Sequence, residues 1–170
     1  MSVRMLWRAA AAAAIVVVFG SQAVAQRPQS PQTPQTRVDG QIHDFTAALD
    51  ASGPWEISGE WSLALNTASG KVDFQATLNM VRAENAARQS HTHHIVMQDG
   101  SITPITGGFR ISGNAAVTVN GALAGFSPTP LDIDLTGGSA VRFSNVKLTF
   151  SAPGAAHFGD QPIDGVVSLR

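Results

Sequence analysis

The chain has 170 residues, 11 basic and 12 acidic side chains, five histidines and no cysteine or tyrosine. The missing cysteines exclude disulfides, thiolate metal sites and an N-terminal lipoprotein anchor. A near-neutral charge without a Lys/Arg cluster argues against nucleic acid or anionic membranes as partners.

The first 25 residues read as a signal peptide. Arg4 and Arg8 form a positive start, and Ala9 to Phe19 form an uncharged apolar run. That run suits a signal peptide and falls short of the roughly 20 residues that span a bilayer. Ala23-Val24-Ala25 supplies a small-x-small cleavage pattern, which predicts cleavage after Ala25 and no membrane span thereafter. The expected location is therefore outside the cytoplasm, periplasmic or secreted. Residues 26–37, QRPQSPQTPQTR, are rich in Pro, Gln, Ser and Thr. They predict a disordered, solvated linker, with a single domain over 38–170.

From His43 onward the pattern has period two, punctuated by Gly, Pro, Asn and Ser. Such alternation predicts strands. In WEISGEWSLALN, Trp55, Ile57, Trp61, Leu63 and Leu65 share one face and polar residues the other. KVDFQATLNMV places Val72, Phe74, Ala76, Leu78 and Met80 together, and the two segments should pair antiparallel. Gly59 falls on the apolar face between the tryptophans, which predicts a bulge or a close approach by another backbone. Residues 83–90, AENAARQS, read as a loop with one helical turn at most. Further strands follow in HHIVM, SITPI, GFRISG, AAVTVNGAL, PLDIDLTG, AVRFSNVKLTFS and PIDGVVSL. In AVRFSNVKLTFS the apolar phase slips at Ser144-Asn145, which predicts a β-bulge. About nine or ten short strands make an all-β domain, an antiparallel β-sandwich first and a closed β-barrel as the alternative. The bulky inner sets favour a filled core and hence the sandwich.

Phe45, Ala47 and Leu49, the Gly59–Asn66 segment, the Lys71–Val81 segment and the histidines at 91, 93 and 94 together resemble chordin-repeat (CHRD-type) domains of exported bacterial proteins. The resemblance covers about half of the chain after the signal peptide. It departs at the motif, with His-Thr-His-His in place of Ala-His-Ile-His, and does not extend beyond Gly107. It implies an immunoglobulin- or superoxide-dismutase-like sandwich of poorly defined biochemical role.

The segment SHTHHIVMQDG carries three of the five histidines. If it is a strand, His91, His93, Ile95, Met97 and Asp99 share one face, and His94 and Val96 the other. Side chains two apart lie roughly 6.5–7 Å from each other, close enough for two imidazoles to converge on one ion. Imidazole suits zinc, copper or nickel, and the Met97 thioether would favour Cu(I). A complete site needs more ligands, and His43 and His157 are candidates, with Asp44 and Asp160 as acids. The alternative is a set of solvated histidines at a strand end.

Other motifs carry less. Asp132 and Asp134 share an outward face but are too few for calcium. HFGD, residues 157–160, pairs His157 with Asp160 across a glycine. No G-x-S-x-G, H-E-x-x-H or phosphate-binding loop is present. The functional expectation is thus a non-enzymatic exported module that binds a metal ion, zinc or copper, through His91 and His93. A metal-free module holding an apolar small ligand or an envelope protein is the alternative. A hydrolase or isomerase with His94 or His157 as base is a third reading.

Overall fold

The computed structural model describes residues 35–46, 54–82, 90–138 and 143–168. The chain divides into residues 1–32 and 33–170, and the described residues all belong to the second unit. The signal-peptide reading, residues 26–34 of the linker and the loop at 83–89 lie outside the described residues.

The described residues form nine strands and one short helix: β1 (Gln35–Phe45), β2 (Trp55–Asn66), β3 (Lys71–Arg82), β4 (Ser90–Ile105), β5 (Gly108–Val119), β6 (Ala122–Leu123), β7 (Thr129–Thr136), β8 (Asn145–Phe150), α1 (Ala155–Phe158) and β9 (Ile163–Val167). β1 begins inside the stretch read as linker. Each strand pairs antiparallel with its neighbour in the chain, β6 standing aside as a two-residue addition to β5. The ring closes where β1 meets β9, Gly40 facing Val167. The result is a closed eight-stranded barrel with β6 as an extra strand.

The architecture is therefore all-β, and of the two forms considered it is the barrel. The filled core does not distinguish them, because an eight-stranded barrel has an interior only wide enough for side chains. The alternating residues of every strand fill it. Ile42, Ile57, Phe74, Leu78, Ile95, Ile111, Ile133 and Leu148 are all buried inward. Burial of each such side chain is worth about 1.5–3 kcal/mol, which is what replaces the absent disulfides.

Several local expectations meet the structure directly. β2 and β3 pair in register from Trp55–Arg82 to Asn66–Lys71, so no bulge occurs at Gly59. A Cβ at Gly59 would lie 1.9 Å from the Thr77 carbonyl oxygen, so the glycine permits a close backbone approach. HHIVM and SITPI belong to one continuous strand, β4, whose pairing with β5 shifts between Met97 and Ser101. Asp99 has φ +55 within that irregularity, which takes it out of the alternation. The phase slip at Ser144-Asn145 is the start of β8 and not a bulge within a strand.

One end of the barrel matters for function. β1, β3, β5 and β8 finish there, and β2, β4, β7 and β9 begin there. The connection from β8 to β9 crosses this mouth and carries α1. Its Phe158 is buried and stacks on Phe150 with ring centres 4.1 Å apart. The Gly154 amide donates to the Thr129 hydroxyl at 2.9 Å. The sequence reading placed no helix here, although Pro153 before it and Gly159 after it are the usual bounds.

Candidate metal centre

Alternation along β4 turns His91 and His93 into the mouth of the barrel, with Ile95 and Met97 below them in the core. The two imidazoles sit with ring centres 4.7 Å apart, edge to face. From the other side, α1 delivers His157. Its Nε2 lies 3.0 Å from His93 Nε2 and 3.3 Å from His91 Nε2. One nitrogen from each ring falls within 4.8 Å of the other two. In a tetrahedral site with Zn–N bonds of about 2.0–2.1 Å, neighbouring ligand nitrogens stand about 3.3 Å apart. The two contacts of His157 are thus at nearly the spacing that one ion requires, and the third pair lies within 4.8 Å.

The protonation pattern agrees. His93 Nδ1 is 3.2 Å from the Thr118 carbonyl oxygen. That oxygen can only accept, so Nδ1 carries the proton and Nε2 presents its lone pair to the cluster. Fixing a ligand's tautomer through its second nitrogen is the usual arrangement around protein metals. Burial removes hydration from the His93 imidazolium, and His157 and His91 add repulsion. Together these push His93 down to about 4, the Thr118 bond opposing them in part. Burial also lowers His91, and burial followed by repulsion from His91 lowers His157. All three are neutral at pH 7, the form that ligates.

The surroundings are aromatic. Trp55 meets the edge of His91 at 4.9 Å, and Phe126 stacks on His157 at 4.9 Å with planes 23° apart. Phe158 packs edge-on against His93 at 4.8 Å. His93 is fully buried, whereas His91 and His157 are half-buried and meet solvent. Among the described residues, no Asp or Glu joins the three histidines.

The other candidates lie elsewhere. Met97 is buried deeper in the core, where its sulfur occupies the space beside Gly113: a Cβ there would be 2.5 Å from it. Four residues along a strand separate it from His93 by about 13 Å, so it is not a ligand of the same ion. His43 is on the outer surface, its Nε2 3.0 Å from Glu56. His94 also faces outward, its Nδ1 3.2 Å from the Thr77 hydroxyl. Asp44 receives the Phe45 and Asp164 amides on its two oxygens, both at 2.7 Å. Asp160 is exposed. Asp134 is held in a two-point clamp by Arg110 at 2.7 Å, so the Asp132–Asp134 pair is not a calcium site.

Sequence reasoning identified His91 and His93 as a pair and His157 among several candidates. It missed the Thr118 carbonyl and the rings of Trp55, Phe126 and Phe158. A backbone carbonyl leaves no signal in sequence, and these aromatics are indistinguishable there from core residues. No family model, curated protein or solved structure matches the chain.

Proposed function

We propose that the protein is an exported metal-binding barrel that holds a divalent transition ion, zinc or copper, through His91, His93 and His157. The observation that carries this reading is the convergence of three neutral imidazole nitrogens, one with its tautomer fixed by Thr118. Hydrogen bonds between imidazole nitrogens satisfy them only pairwise, whereas three lone pairs on one cation are satisfied at once. Without Met97 in reach, the thioether argument for Cu(I) falls away. The all-imidazole set suits Zn²⁺ and Cu²⁺, with copper the tighter of the two in the Irving–Williams order. Export is supported by the first 25 residues alone.

The metal-free alternative draws less support. The barrel interior is filled by buried side chains, and two concavities lie on the outer face of β1 to β4. They measure about 310 and 240 Å³, and polar side chains such as Arg37, Ser62 and Gln75 line both. The acid–base reading takes His94 or His157 as base and needs an acid beside it; among the described residues His157 gathers with two histidines and His94 meets the Thr77 hydroxyl.

The test is metal analysis and titration of the untagged protein purified without chelators. Near-stoichiometric zinc or copper, or a dissociation constant below about 1 μM, is expected. Wild-type protein with no metal and no such affinity would overturn the reading.

A further inference from the structure

Among the described strands of the ring, β9 is the shortest, at five residues. It pairs with β1 over Gly40–Ile42 and with β8 over Asn145–Leu148. By contrast, β2 pairs with β3 along its full length, Trp55–Asn66. Side chains reinforce the β1–β9 seam. The Asp164 amide donates to Asp44 at 2.7 Å, and the Trp61 indole N–H donates to the Val166 carbonyl at 3.3 Å. A short ladder has few hydrogen bonds to break, and local opening of this kind costs less than global unfolding.

β9 also stands opposite the wall that carries His91 and His93. Round the ring from β4, it is reached after β3, β2 and β1 one way, and after β5, β7 and β8 the other. The chain enters β9 from α1, with residues 158–162 between His157 and the strand. The ties of this plug point in two directions. The Gly154 amide on the Thr129 hydroxyl and the Phe158 ring on Phe150 hold it to β7 and β8, on the same side as β9. The His157 imidazole reaches across the mouth to β4, where the Phe158 edge also touches His93.

Resting on the metal reading above, we infer that the ion is a strap that locks β9 into the barrel. Held by His91 and His93 on one wall and His157 on the connection to the opposite wall, it joins the two across the mouth. In the metal-free protein the plug and β9 open together at the β1–β9 seam. The ion binds the closed form, in which the three nitrogens meet, and so shifts the population toward it. Metal supply then regulates how long the ring stays closed.

The experiment is amide hydrogen exchange of the untagged protein, read by mass spectrometry. It is run with metal removed by chelator, and again with free zinc at about a hundred times its dissociation constant. Without zinc, the β9 amides should exchange at least about tenfold faster than those of β2 and β3. Zinc should slow β9 about a hundredfold, the factor by which occupied molecules outnumber empty ones. His157→Gln keeps the plug and removes its ligand nitrogen, so β9 exchange should ignore the same zinc concentration.

β9 exchange as slow as that of β2 and β3 without zinc would mean that the seam does not open separately, and would overturn the inference. Zinc bound with β9 exchange unchanged would also overturn it and leave the metal reading standing. Protection by zinc that survives His157→Gln would show that the plug is not the strap. Failure of wild-type protein to bind zinc or copper would overturn both readings.

Discussion

His93 and His94 are neighbours in the chain and belong to different chemical worlds. The inner face of β4 at the mouth buries His93 completely, fixes its proton on Nδ1 through Thr118, and sets its Nε2 3.0 Å from another imidazole. The outer face leaves His94 exposed beside a threonine hydroxyl. One step along a strand turns a side chain through to the opposite face, so identical residues acquire opposite surroundings. In a run of histidines, then, number matters less than parity, and parity matters only where a third ligand arrives from elsewhere.

The sharpest break of that comparison is metal affinity. His93→Ala should raise the dissociation constant at least about a thousandfold, roughly 4 kcal/mol, and His94→Ala should leave it unchanged in the same calorimetric titration. Equal loss from both substitutions would mean that the face of β4 does not decide the site.

Packing of the plug comes next. Phe158→Ala removes a fully buried ring stacked on Phe150, so it should cost about 3–4 kcal/mol in urea unfolding. It should also weaken metal binding, because His157 is the adjacent residue.

A slightly smaller effect is expected in the pH dependence of the metal-free protein. The folded state holds His93 at about 4, below its ordinary 6.5 when unfolded. Between those values the unfolded chain binds more protons, so stability rises with pH through this window. Falling from pH 6.5 to 4, the apo protein should lose about 3 kcal/mol on this account, and His93→Gln should flatten the curve. Excess zinc should shift the loss to lower pH, because protons and metal compete for the same nitrogens.

The smallest effect belongs to the outer face. Arg110→Ala breaks an ion pair whose arginine is solvent-exposed, and screening leaves such pairs little net worth. The thermal midpoint should barely move and metal titration should be unaffected. A large drop in either would mean that the outer surface supports the site.

Much of the barrel could be read from residues. Trp55 to Leu65 and Val72 to Met80 alternate as they must when one face is buried, and the structure pairs them antiparallel as expected. The strand HHIVM showed its inner pair for the same reason. Other features were illegible for identifiable causes. Met97 shares a face with His93, yet period two reports direction and not depth, so the sequence did not show that its sulfur packs beside Gly113. The α1 turn is too short to display helical periodicity.

By itself, then, the sequence determined that the chain builds an all-β domain and that His91 and His93 point the same way. Both follow from the local geometry of a strand, in which each Cβ direction is set by its own backbone. Tertiary structure alone decided the closure into a barrel, the exclusion of Met97 and His43, and the arrival of His157 beside two histidines more than sixty residues earlier in the chain. It also decided which nitrogen of His93 holds the proton. These depend on hydrogen bonds between distant strands, β1 with β9 and β4 with β5, and on a plug that crosses the mouth only once those strands have closed the ring.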